Sequence, residues 1–137
     1  MQLSDFLHHQ PPMILLDDLL DAGEDYAIAK VKVSREMLFA TDAGLPTWTA
    51  IEIMAQTISL YSGLKWVKKG MSPKMGFLLG TKKIHFDIPY FALGTELLIS
   101  VKKKYRHKSI WYFDCELKYL DSKIATVLNV YEPIDEE

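Results

Sequence analysis

A single cysteine, Cys115, stands in 137 residues. It excludes a disulfide within the chain and any metal site built on paired cysteines, and it fits a reducing compartment. The net charge is only −2, so the chain as a whole gives no argument for nucleic acid. The opening stretch MQLSDFLHHQPPM has no basic region followed by an apolar run; no secretory signal is expected, and the expected location is cytoplasmic. Phosphate-binding glycine loops, dinucleotide fingerprints and metal-ligand spacings are missing, so neither a cofactor nor a metal is expected. No repeat, low-complexity block or linker divides the chain, which reads as a single domain over 1–137. The one segment long and apolar enough to suggest a membrane span, 47–68, carries Glu52, Gln56, Ser59 and Lys65, and ionisable groups in lipid are expensive.

What is present suits a packed core: 49% of residues are hydrophobic and 25% charged. SDFL at the start opens a short helix with Ser4 as N-cap, and HHQPP stops it. MILLDDLLDA reads as extended. YAIAKVKVS alternates and predicts a strand with Ala27, Ala29, Val31 and Val33 on one face. ATDAG is a turn, closed by Pro46. A long helix follows over 47–68, with Lys68 and Lys69 suiting its C-terminal dipole and Gly70 its C′ position. Then come MGFLLGTKKIHF, ELLISVKKKYRH, SIWYFDCELKYL and KIATVLNVYE, punctuated by Gly80, by Pro89 with Gly94, by RHK and by LDSK. Hairpin-length gaps make neighbours antiparallel. A helix apolar all round needs cover on more than one side. A curved antiparallel sheet around one central helix provides it, with a second sheet or subunit covering the remainder. The fold class is therefore α+β.

Within that helix Glu52, Gln56 and Ser59 fall at i, i+4 and i+7 and share a face between apolar rows, with Ile51, Met54, Ala55, Ile58 and Tyr61 on the flanks. A buried carboxylate costs several kcal/mol or shifts its pKa upward, so Glu52 is a candidate acid/base. The competing reading is structural. TAIE fits S/T-x-x-E, a capping box with Thr49 as N-cap. Pro46 speaks against it, since proline prefers the first helical turn and would start the helix before Thr49.

Four segments in order, LHHQPPMILLDDLL, LPTWTAIEIMAQ, LLGTKKIHFDIPYFALGTEL and KSIWYFDCELKYLDSKIATVLNVYE, make the chain resemble the hotdog-fold 3-hydroxyacyl-acyl-carrier-protein dehydratases. It is similar above all to the dehydratase-like proteins of aryl-polyene biosynthesis clusters. The resemblance spans nearly the whole chain. It implies a hotdog fold, a dimer with sites at the subunit interface, and a 3-hydroxyacyl thioester on an acyl-carrier protein or CoA as substrate. It also implies that Glu52 works with a histidine of the other subunit, that Gln56 orients the carboxylate, and that backbone amides near Thr47 and Trp48 polarise the thioester carbonyl.

The chain departs from the pattern where the base should be. The loop before the helix, LFATDAGLP, has no histidine. Its one titratable group, Asp42, is a weak candidate base, better suited to a turn with Gly44. His8 and His9 precede the prolines and read as turn or strand-start residues, His85 as a surface residue of a strand, and His107 as solvated in a hairpin turn. A chain with the carboxylate and without the base suits one half of a heteromeric dehydratase; a homodimer is the other assembly. The alternatives are a hotdog thioesterase using Glu52 and water, or a catalytically silent scaffold subunit. The basic cluster Lys102, Lys103, Lys104, Arg106 and Lys108 is either a solvated sheet edge or a docking patch for an acidic carrier protein. Trp66, Trp111, Tyr61 and Phe77 are expected in the core or a dimer interface, and Trp48 on the acyl path.

Overall fold

The computed structural model describes residues 13–70, 77–81 and 84–131. The helix with Ser4 as its cap, His8 and His9 lie outside the described residues. In chain order the elements are β1 (Asp18–Ala22), β2 (Tyr26–Lys32), β3 (Leu45–Pro46), α1 (Thr49–Lys68), β4 (Phe77–Thr81), β5 (Tyr90–Phe91), β6 (Glu96–His107), β7 (Ile110–Tyr119) and β8 (Ser122–Tyr131). Six strands form one antiparallel sheet in the order β1-β2-β6-β7-β8-β4, and β3 with β5 makes a separate two-stranded ribbon.

The alternation read in YAIAKVKVS holds: Ala27, Ala29, Val31 and Val33 are all buried. Register extends that face across the sheet. Ala29 lies opposite Ile99, Ile99 opposite Leu117, and Leu117 opposite Ile124. Because side chains alternate with period 2, this row points to one side, against α1. Alanines on β2 let the helix approach closely, and both are fully buried. Larger side chains there would overpack the core at about 1–3 kcal/mol each. The pattern is the hotdog arrangement expected from the sequence, one long helix packed against a face of an antiparallel sheet.

The helix is buried around most of its circumference, from Thr49 and Ala50 through Ile53, Met54, Gln56, Thr57, Ile58, Leu60 and Tyr61 to Trp66. Ile51, Glu52, Ala55 and Ser59 remain half-buried and share a side by helical spacing. One sheet thus covers most of the helix and leaves this strip partly open. Lys69 is the C-cap, and Gly70 takes φ +75° beyond it, the left-handed residue expected at that end.

Three readings are corrected. Pro46 does not open the helix: it sits in β3 opposite Tyr90, and the helix begins at Thr49. The strand read from MGFLLGTKKIHF has its described part at Phe77–Thr81, so His85 is not in a strand. Gly80 lies inside β4, where the register with β8 shifts between Leu78 and Gly80, rather than ending it. The β3–β5 ribbon was not foreseen. It is fixed by Gly44, whose φ of +121° and close approach to the Phe91 carbonyl (a Cβ would stand 2.2 Å from that oxygen) leave room only for glycine.

Candidate functional site

The polar residues at the start of α1 are held by backbone from elsewhere in the chain. Gln56 is fully buried. Its Oε1 accepts from the Leu15 amide at 2.8 Å, and its Nε2 donates to the Met13 carbonyl at 2.7 Å. The same Nε2 lies 3.3 Å from Glu52 Oε1, to which it donates. Two strong bonds therefore lock the amide, and the locked amide presents a hydrogen to the carboxylate one turn away. Glu52 is half-buried on the partly open strip.

The capping box is not formed. Trp48 occupies the N-cap position with helical dihedrals and makes no side-chain cap bond. Thr49 is already inside the helix, and its hydroxyl donates to the Pro46 carbonyl at 2.7 Å. Glu52 is thus not closing a cap on Thr49.

The lead-in to the helix is pinned to the β5 side. Thr47 is buried, its amide donates to the Pro89 carbonyl at 3.0 Å and its hydroxyl to the Ile88 carbonyl at 2.8 Å. Its amide is therefore already spent on Pro89. The Ala50 amide turns back to Thr47 O at 3.0 Å and the Ile51 amide to Trp48 O at 3.3 Å. The amides of Trp48 and Thr49 have no backbone acceptor among the described residues. They are the first orphan donors of the helix, at the positive end of its dipole.

Trp48 is 52% exposed, and its ring meets Phe39 edge-on at 5.1 Å between centroids. Phe39 takes φ +76°, an uncommon backbone state for a bulky residue. Asp42 lies fully exposed in the turn between Thr41 and Gly44, with its carboxylate 3.1 Å from Arg35 Nε. It hydrogen-bonds neither Glu52 nor Gln56. Of the sequence-derived set, the structure brings together Glu52 and Gln56 directly and Thr47 with Trp48 one turn before them; Asp42 stands apart on Arg35.

The described histidines are elsewhere. His85 is exposed with Nε2 3.1 Å from Asp87, and His107 is exposed at the end of β6. No group of three or more metal-ligating side chains is found among the described residues, and no helix among them is long and apolar enough to cross a membrane. What the sequence did not give is the clamp on Gln56 by Met13 and Leu15. The separation of more than forty residues leaves no local signal for it.

Comparison with known proteins follows from this geometry. A family model described as ApeP-like, ApeP dehydratase, matches residues 1–137. The dehydratase heterocomplex ApeI:P from Xenorhabdus doucetiae superposes with a TM-score of 0.88 at 27% identity, covering 100% of this chain and 94% of that one. The 3-hydroxyacyl-[acyl-carrier-protein] dehydratase FabZ of Acinetobacter baylyi is 21% identical over 134 residues, which is 94% of this chain and 89% of that protein. A hypothetical thioesterase from Streptococcus pneumoniae, solved with coenzyme A, shares the fold alone, with a TM-score of 0.66 at 11% identity over 88% of this chain and 90% of that one.

Proposed function

We propose that this chain, which belongs to the ApeP-like dehydratase family, dehydrates a 3-hydroxyacyl thioester as one half of a two-chain enzyme. The observation that carries the reading is the Gln56–Glu52 pair. A buried amide, held on its other bonds by Met13 and Leu15, fixes a carboxylate at the start of the central helix. Positioning of this kind is what acid–base catalysis requires.

In the proposed reaction a base removes the α-proton of the thioester, and the electron pair moves toward the carbonyl. The amides of Trp48 and Thr49, at the positive end of α1, receive the developing oxyanion. As the pair returns, the double bond forms between C2 and C3 and the C3–O bond breaks. The Glu52 carboxyl supplies a proton to the departing hydroxyl, which leaves as water. The proton taken at C2 stays on the base, and its later return to Glu52 resets the site.

The base is assigned to a histidine of a related hotdog subunit. Two features support this. The loop LFATDAGLP carries no histidine, and the strip Ile51, Glu52, Ala55 and Ser59 leaves the carboxylate side of α1 partly open to a neighbour. The name of the ApeI:P heterocomplex, a structure covering this whole chain, points the same way. A single cysteine, buried in the sheet, suits work in a reducing cytoplasm.

The test is product analysis by mass spectrometry after incubation with a 3-hydroxyacyl-carrier protein, with the chain alone and with a histidine-bearing hotdog subunit from the same genome. The enoyl thioester, lighter by one water, is expected from the pair and not from the chain alone. Turnover by the chain alone would place the base within it. Release of the free acid would mark a thioesterase, and no product from either arm would leave the scaffold reading standing.

A further inference from the structure

The helix opens on an exposed aromatic pair. Trp48 already has helical dihedrals, φ −62° and ψ −21°, so it continues the helical spacing outward. Trp48, Ile51, Glu52, Ala55 and Ser59 fall at i, i+3, i+4, i+7 and i+11 and lie along one strip. Trp48 thus heads the partly open strip that carries the carboxylate, one turn and about 6 Å of rise before Glu52. Its ring is 52% exposed, Phe39 is 42% exposed, and the two meet edge-on.

Phe39 is held against Trp48 in a strained state. It is the third residue of the turn closed by the Ala40 amide on the Met37 carbonyl at 3.0 Å, and its φ is +76°. That place in a turn favours glycine or asparagine. The loop around it is fixed on both sides. Met37 and Leu38 pack half-buried against the core. Arg35 donates from Nη1 to the Ala40 carbonyl at 3.0 Å and from Nε to Asp42 at 3.1 Å. Surroundings that over-determine a strained backbone are a mark of a working position. Trp48 is equally fixed, between the helix and Thr47, which is bonded to the Ile88 and Pro89 carbonyls. The two rings therefore form a set wall rather than two loose side chains.

We infer that the Phe39–Trp48 wall holds the pantetheine arm of the substrate and so sets the direction in which the thioester lies along α1. The inference rests on the dehydration reading above. In that reading the carbonyl oxygen meets the amides of Trp48 and Thr49, and the C3 hydroxyl meets Glu52, whose side chain leans back toward the helix start. The chain from C1 to C3 then runs down the helix. The acyl tail continues toward Ala55 and Ser59, and the sulfur leaves on the other side, past Trp48. Trp48, expected on the acyl path, stands on the arm side instead. The chemistry of the arm suits two aromatic rings: its methylenes and paired methyl groups pack on them, and its amide N–H groups can point at their faces. Two rings 5.1 Å apart between centroids span roughly 10 Å, longer than the cysteamine unit next to the sulfur. CoA and carrier proteins share this arm, so the wall recognises the part common to both.

The experiment is isothermal titration of the reconstituted pair with two unreactive thioethers, S-hexyl-pantetheine and S-hexyl-N-acetylcysteamine. They share the tail and the first amide, and only the first has the rest of the arm. The parent is expected to bind the pantetheine form at least about fivefold more tightly. Trp48→Ala and Phe39→Asn are each expected to cut that preference to less than about twofold. Asparagine accepts the left-handed backbone, so Phe39→Asn removes the ring and keeps the turn, and it carries the test if circular dichroism shows that Trp48→Ala does not fold. Equal weakening of both thioethers, or a preference that survives in both variants, overturns the proposal. So does a loss that grows with tail length from ethyl to octyl on one arm, which would put the tail on the wall. A variant pair that dissociates in sedimentation makes Trp48 a subunit contact and also overturns it. The loss should be the same on the S-hexyl thioethers of CoA and of a carrier protein; a loss on one alone contradicts a contact to the shared arm. None of these ligands reacts. A pair that yields no enoyl product but shows the preference, lost in the variants, ends the dehydration reading and leaves the arm contact standing. Turnover without the preference does the reverse.

Discussion

Replacing Gln56 by leucine tests the structural half of the site in isolation. The side chain keeps its size and loses its polar atoms. The Leu15 amide, on a residue only 2% exposed, then has no acceptor. An orphan buried amide costs about 1–3 kcal/mol. The Met13 carbonyl loses its donor as well, but Met13 is 46% exposed, so water can replace the bond and the loss stays near about 0.5–1.5 kcal/mol. Together these give roughly 2–4 kcal/mol. At roughly 4 °C per kcal/mol for a domain of this size, the melting temperature should fall by about 8–16 °C. Differential scanning calorimetry reads this directly. Gln56→Glu sharpens the test. It restores an acceptor for Leu15 but sets a second carboxylate against Glu52 and the Met13 carbonyl. Its folded-state pKa is therefore raised, so its defect is largest at neutral pH and shrinks as pH falls and the new carboxyl becomes a donor. A Gln56→Leu protein melting within about 2 °C of the parent would refute the clamp.

Two further outcomes follow from named contacts. Gly44→Ala should lower the melting temperature by about 4 °C or more, because a Cβ would stand 2.2 Å from the Phe91 carbonyl at φ +121°; backbone strain of this kind costs about 1–3 kcal/mol. Cys115, whose thiol is pushed up to about 12 by burial, with Asp114 adding to the rise and the Leu128 backbone opposing it, should resist a thiol-reactive dye at pH 8 in the folded protein. It should react at once in denaturant. The same rise makes stability fall as pH climbs above the ordinary thiol value, since the unfolded thiol ionises first.

Period-2 alternation made β2 legible, and the all-round apolar character of 47–68 made α1 and its need for cover legible. The helix spacing placed Glu52 and Gln56 one turn apart, and the structure joins them by a hydrogen bond. The ribbon of β3 and β5 was hidden because two-residue strands carry no period. Pro46 was misleading: its fixed φ suits the edge of that ribbon as well as a first helical turn. The clamp of Met13 and Leu15 on Gln56 is a tertiary contact without a local pattern. A cavity lined by β1, the end of α1 and β6 was half visible. Lys68 and Lys69 read as dipole partners, but their neighbours on β1 and β6 become neighbours only in the folded sheet.

The central claim is that Glu52 delivers the proton to the departing hydroxyl in a site completed by a second chain. The most direct measurement is single-turnover formation of the enoyl thioester by the reconstituted pair, with Glu52→Gln compared against the parent and each protein's melting temperature recorded. Glutamine fills the same space and still bonds Gln56, but it has no proton to exchange at neutral pH. The account predicts an unchanged fold and a rate lower by about 100-fold or more. A variant that melts like the parent and turns over at the parent's rate would contradict it.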